Sequence, residues 1–196
     1  MINTRDLMDL LNSSSLARAP FKGDFDLSEC AWPGLAIPNR FKEKSFFPSN
    51  GLDLNSFTHR VYEDLLDKNV DQEKARKIIP GLCEAVKNAY EHGNSLDNSK
   101  EIYFAQAILR DSVEFLVGDS GRIIKADFIP YVLLFRQKGN KKFNENIPGF
   151  YDFIGEMYAP IGHSGVGTKT MNISFSNIKY FKRDPKGLIV YLRKNL

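Results

Sequence analysis

The stretch EAVKNAYEHG, Glu84 to Gly93, decides how the rest of the chain is read. It closes a longer run, DQEKARKIIPGLCEAVKNAYEHG, in which Asp71 is suited to cap a helix and Gly93 to stop it. On such a helix Glu84 and Asn88 stand four residues apart and share a face. A neutral amide oxygen is a ligand for Mg²⁺, and a carboxylate beside it can orient or deprotonate a hydroxyl near a terminal phosphate. By itself that spacing is more often a solvated helix face, so its meaning depends on what else meets it. Pro80 lies inside the run and predicts a kink or a division into two helices.

Two further pieces carry polar groups at element ends. EIYFAQAILRDSVEFLVGDSG reads as a β-hairpin turning at Arg110-Asp111-Ser112, with Asp119 at the end of its second strand. A carboxylate there can accept from the exocyclic amine of adenine, and Gly121 would let the ring approach the backbone. An ordinary strand-ending turn is the plain alternative. GHSGVGTKT, Gly162 to Thr170, looks like a phosphate loop but is not a Walker loop, because Thr168 separates Gly167 from Lys169. A dinucleotide fingerprint fails too, since Thr170 stands where its last glycine should be. The sequence behind it places Val166, Met171, Phe175 and Ile178 on one helical face. Gly165 and Gly167 at a helix start offer backbone N–H groups and the helix dipole to an anion.

The 196 residues, 42% hydrophobic and 26% charged, suffice for one full core with appendages. A formal net charge of +3 is too mild to demand nucleic acid. Cys30 and Cys83 form no metal-ligand or disulfide pattern, which fits a reducing cytoplasm. No segment approaches the about 20 apolar residues that span a bilayer. Residues 1–43 read as an N-terminal extension, with a short apolar face at Leu7, Met8, Leu10 and Leu11, packed on the domain or on a second copy. Residues 44–196 form the domain, with KSFFPS as a first strand and Phe57, Val61, Leu65 and Leu66 on the first helix. Within it, residues 122–162 are long, mixed and lid-like, and KYFKR and LIVYLRKN close the chain as a second hairpin around Asp184-Pro185-Lys186-Gly187. The order of elements describes an α+β two-layer sandwich with a mixed, mostly antiparallel sheet and helices on one face.

EAVKNAYEHG on a helix, DSG at a strand end and HSGVGTKTM before a helix occur in an order that resembles the histidine kinase-like ATP-binding superfamily of gyrase, histidine kinases and the heat-shock-90 chaperone. The resemblance, over about Lys44 to Leu196, is closest to anti-sigma factor serine kinases, with their E-A-V-x-N-A-x-x-H-G and R-S-G-x-G-x-x-x-M strings. It implies the Bergerat ATP-binding fold, with Glu84 as catalytic base, Asn88 as Mg²⁺ ligand and Asp119 with Gly121 at the adenine. It also implies that Ser164, Gly165, Gly167 and Thr168 contact phosphate. The cofactors implied are ATP and Mg²⁺, and the partner is a protein of the anti-anti-sigma or sigma-like kind.

Two letters depart from the family's pattern. Ile123 replaces the second glycine of D-x-G-x-G, and His163 stands where an arginine usually meets the terminal phosphate. A largely neutral imidazole is a weaker phosphate partner than guanidinium. The leading expectation is transfer of the γ-phosphoryl of Mg-ATP to a serine or threonine of a partner protein. The alternative is a non-catalytic regulator whose lid and extension respond to ATP at a protein interface. Hydrolysis driving a clamp is a third reading, and a homodimer is possible.

Overall fold

The computed structural model describes residues 25–26, 35–48, 51–121, 123–124, 166–183 and 187–196. Helix α1, Leu54–Asp67, begins where the Asp53 carboxylate accepts the Ser56 N–H at 3.0 Å and the Ser56 hydroxyl at 2.6 Å. Those bonds hold the Asp53 carboxyl below its ordinary range. Phe57, Val61 and Leu65, each four residues apart, form the buried stripe of α1. Helix α2, Gln72–Asn88, is capped by Asp71, which accepts the Lys74 N–H at 3.0 Å, and it buries Ala75, Ile78, Leu82, Ala85 and Val86.

Pro80 does not divide α2 as the sequence predicts. The helix runs through it, and Pro80 sits on the exposed side. The following N–H, that of Gly81, donates to Ser174 Oγ at 3.1 Å from the third helix, α3 (Val166–Ser174). A Cβ on Gly81 would strike the Ser174 side chain, so the two helices cross at a point that only glycine permits. Ile178, assigned from the sequence to the α3 face, instead lies in the strand that follows.

Five strands form one sheet in the order β2-β3-β4-β7-β6: β2 Lys42–Glu43, β3 Tyr103–Ile108, β4 Ser112–Gly118, β6 Asn177–Lys182 and β7 Leu188–Asn195. Every pairing among them is antiparallel, so the sheet is not mixed. β4 is central, matched from Tyr103↔Gly118 to Ile108↔Val113 on one side and from Ser112↔Asn195 to Gly118↔Ile189 on the other. A separate two-residue ladder joins β1, Phe25–Asp26, to β5, Ile123–Ile124.

The three helices share one hydrophobic core with one face of the sheet. Rings step across it from Phe46 through Phe57, Phe104 and Phe115 to Phe175, with centroids 4.9–6.1 Å apart. The other face buries Tyr103, Ala105, Leu116 and Ile189 under Leu35 and Phe41. Residues 35–43, within the stretch read as an extension, therefore complete the sheet's second face and its β2 edge. This double covering explains why β3 and β4 read as nearly continuous apolar runs rather than alternating ones. Glu114, on that second face, is buried and paired with Arg40 at 2.8 Å, and burial, followed by the Glu114 charge, pushes the Tyr191 hydroxyl up to about 12.

Candidate functional site

The site grows from the C-terminal end of α2. There the helix widens into a π-helical turn, Ala89–Gly93, closed by the Asn94 N–H donating to Ala89 O at 2.8 Å. Such turns insert one residue per turn and are frequent at functional sites. The chain then leaves through Ser95 and Leu96, both in the left-handed region at φ 56° and 61°. Asn94 is fully buried and ties three segments together. Its Nδ2 donates to Glu101 O at 3.1 Å, and its Oδ1 accepts the Ser120 N–H at 2.8 Å.

That last bond fixes the turn Asp119-Ser120-Gly121 against the helix end. Asp119 Oδ1 accepts two backbone N–H groups, from Gly121 at 2.9 Å and from Leu188 at 3.2 Å. The Asp119 N–H in turn donates to Leu188 O at 3.0 Å. Glycines allow this crowding: a Cβ on Gly93 would overlap the Asp119 carboxyl, and one on Gly121 would overlap the Gly93 carbonyl. Gly187, at φ +110°, packs on the Asp119 carbonyl. The glycine at 121 is thus set by the approach of two backbones. Burial raises the Asp119 carboxyl to about 6, against the lowering effect of the Gly121 and Leu188 N–H groups, Arg183 and Lys100.

Glu84 and Asn88 lie one helical turn apart on the same α2 face, both half-buried. Among the described residues no cation pairs with Glu84. A Cβ on Gly167 would strike the Glu84 carboxylate, so the start of α3 rests directly on it. Asn88 Nδ2 points to Met171 Sδ at 3.7 Å, a weak contact that leaves its Oδ1 without a partner among the described residues. Thr168 lies in the first turn of α3. Ser164, Gly165, His163 and all of 122–162 except Ile123 and Ile124 lie outside the described residues.

Of the residues singled out in the sequence, Glu84, Asn88, Asp119, Gly121 and Gly167 are therefore gathered along α2 and its π-helical exit: the α3 start rests on Glu84 and Asn88, and the β4 end rests on Gly93. Two residues that sequence reasoning missed hold the gathering together. Asn94 sits in an unremarkable polar loop, and its burial has no local signal. Arg183 follows β6, and its guanidinium pairs with Glu101, donates to Asp119 O at 3.2 Å and lies 4.9 Å from the Tyr103 ring centre. Cys83, beside Glu84, is a free half-buried thiol whose pKa is raised by burial and then by the Glu84 charge.

A nucleotide with Mg²⁺ fits this donor set. A buried carboxylate keeps Oδ2 clear of the two backbone bonds on Oδ1 and can take a base amine. Asn88 supplies one amide oxygen, and Mg²⁺ typically takes one or two protein oxygens with the rest from phosphate and water. Among the described residues no cluster of three acidic, histidine or cysteine side chains offers an all-protein metal site. A separate groove of about 340 Å³ between α1 and α2, lined by His59, Tyr62 and Arg76, lies away from these residues. Among the described residues no helix is long and apolar enough to cross a membrane.

No family model and no curated protein matches the chain. Among solved structures, it is similar to a chain of the crystal structure of the SiaB-SiaC complex from Pseudomonas aeruginosa. The two are 13% identical, the match covers 97% of this chain and 98% of that one, and the TM-score is 0.49. At that identity and score the likeness carries no statement of function.

Proposed function

We propose that the protein binds Mg-ATP at the junction of α2, β4 and α3 and transfers a phosphoryl group to a serine or threonine of a partner protein. The observation that supports this most is the meeting of Gly167 with Glu84 and of Gly93 with Asp119, which brings two separated segments against α2 and its π-helical exit. Bound Mg-ATP supplies the γ-phosphoryl electrophile and the charge neutralisation that phosphoryl transfer needs.

The chain's own residues divide the remaining work. Asp119 Oδ2 accepts from the base amine, while Oδ1 stays committed to Gly121 and Leu188. Asn88 offers its amide oxygen to the metal. Glu84, free of a described cation, orients the attacking hydroxyl and takes its proton. The first turn of α3, with Gly167 and Thr168, presents backbone N–H groups to the phosphates, and the sequence assigns Ser164 and Gly165 the same role.

A second reading is favoured by the pairing of β1 with β5, which ties the N-terminal stretch to Ile123, two residues past Gly121. In that reading the protein is an ATP-responsive regulator, and nucleotide binding alters a protein interface through the N-terminal stretch. Prolonged incubation with γ-labelled ATP, Mg²⁺ and a cell extract separates the two. A labelled serine or threonine that disappears with Glu84→Gln supports the kinase. No label at saturating nucleotide contradicts it and leaves the regulator.

A further inference from the structure

Arg183 has four fixed contacts and no part in the roles above. Its guanidinium forms an ion pair with Glu101, donates to Asp119 O at 3.2 Å and to Ser120 Oγ at 3.3 Å, and lies over the Tyr103 ring. Its own N–H closes the β6–β7 turn on Gly187 O at 3.0 Å. That turn delivers the Leu188 N–H to Asp119 Oδ1 and packs Gly187 on the Asp119 carbonyl. The side chain thus connects the start of β3 to the end of β4, and the backbone of the same residue ties in the start of β7. A lone surface arginine has no need of such a set, and its side chain is only 20% exposed.

We propose that Arg183 is a positioning residue for nucleotide-base recognition: it locks the Asp119 backbone and keeps the Asp119 carboxylate an acceptor for the base amine. This rests on the reading of Asp119 as the base contact. The chemistry follows from the carboxylate's two oxygens. Oδ1 already accepts two backbone N–H groups, so a proton taken up by Asp119 must sit on Oδ2, the oxygen left for the base. Protonation therefore removes the acceptor that recognition needs. Burial works toward that protonation, and the Arg183 charge works against it, with Lys100 adding in the same direction. Glu101, paired to Arg183, tempers the charge, and His92 on the π-helical turn is the titratable group nearest in sequence to Gly93, which packs on the carboxyl.

The test is calorimetric titration of the full chain with Mg-ADP from pH 5.5 to 8.5 for wild type, Arg183→Gln and Arg183→Lys. The ligand's own phosphate titration is common to all three and cancels in the ratios. Arg183→Gln should move the acid loss of affinity to higher pH, with about a fivefold deficit at pH 6 that shrinks to less than about twofold at pH 8. Arg183→Lys retains the charge and should keep the wild-type pH midpoint, even if its affinity falls evenly. A Gln deficit that is equal at every pH, or absent, overturns the proposal while the base-contact reading stands. A wild type that binds no ADP at any pH overturns that reading and the proposal with it. If Arg183→Gln does not fold, Glu101→Gln, which leaves Arg183 its full charge, should move the midpoint the opposite way, and an unmoved midpoint there also overturns it.

Discussion

The two halves of the candidate site are built differently. Around Asp119 almost every polar group is committed: two N–H groups on Oδ1, Asn94 on the Ser120 N–H, Arg183 on the Asp119 carbonyl, and glycines where backbones touch. Around Glu84 and Asn88 the described residues offer only a Met171 sulfur and the Gly167 backbone. The Asp119 half is a finished piece of protein structure, whereas Glu84 and Asn88 have few partners among the described residues. Interactions made before binding cost no ordering when a ligand arrives, so in the proposed function the Asp119 half would supply orientation and the Glu84 half chemistry.

That contrast can be broken at either half. The largest effect should be on chemistry: Glu84→Gln should lower phosphotransfer by about a thousandfold, the range of a general base, while ADP affinity stays within about twofold. Stability should move by less than about 0.5 kcal/mol, because no described partner of Glu84 is lost. Single-turnover transfer and thermal melts on one preparation check both statements. Asn94→Ala should do the reverse, lowering stability by about 3 kcal/mol in urea titration through groups left unpaired in a buried site.

Asp119→Asn sharpens the contrast by separating function from stability. The folded protein holds the Asp119 carboxyl at about 6 rather than 3.8, so it binds a proton more readily than the unfolded chain does. Stability linked to this group is therefore highest below about pH 4 and declines as pH rises toward 6, by roughly 2–3 kcal/mol in all. Asparagine keeps an oxygen for Gly121 and Leu188 but never carries the charge. The variant should be more stable than wild type by about 2 kcal/mol at pH 7.5, lose that slope between pH 4 and 6, and bind ADP about 30-fold more weakly. Denaturant titrations at three pH values check the stability statement. The smallest effect lies at the helix exit, where Leu96 is 59% exposed and in the left-handed region; Leu96→Gly should stabilise by about 1 kcal/mol.

Much of this architecture was legible because it depends on local pattern. The four-residue stripe of α1, the Asp71 cap and both hairpins follow from periodicity and turn chemistry. Glu84 and Asn88 share a face because a helix repeats, and no tertiary information is needed for that. Pro80 does not divide α2, and the contact beside it, in which Ser174 accepts the Gly81 N–H from 93 residues away, is tertiary and left no local signal. Ile178 misled because a helical spacing was continued past Ser174 into a strand that β7 pairs. Asn94, Arg183 and the π-helical turn left no sequence signal, since each takes its meaning from backbone groups that only the fold brings near. The glycines were legible as special positions, but Gly121 meets the Gly93 carbonyl, a partner no spacing rule identifies.

The central claim is that a nucleotide sits between these two halves, and binding measured with and without Mg²⁺ tests it most directly. Calorimetry with ATP and ADP on wild type and Asn88→Ala should show wild-type affinity rising with Mg²⁺, and the variant should retain the metal-free affinity within about twofold while losing that gain. If wild type binds neither ATP nor ADP, with or without Mg²⁺, the account of the site is wrong.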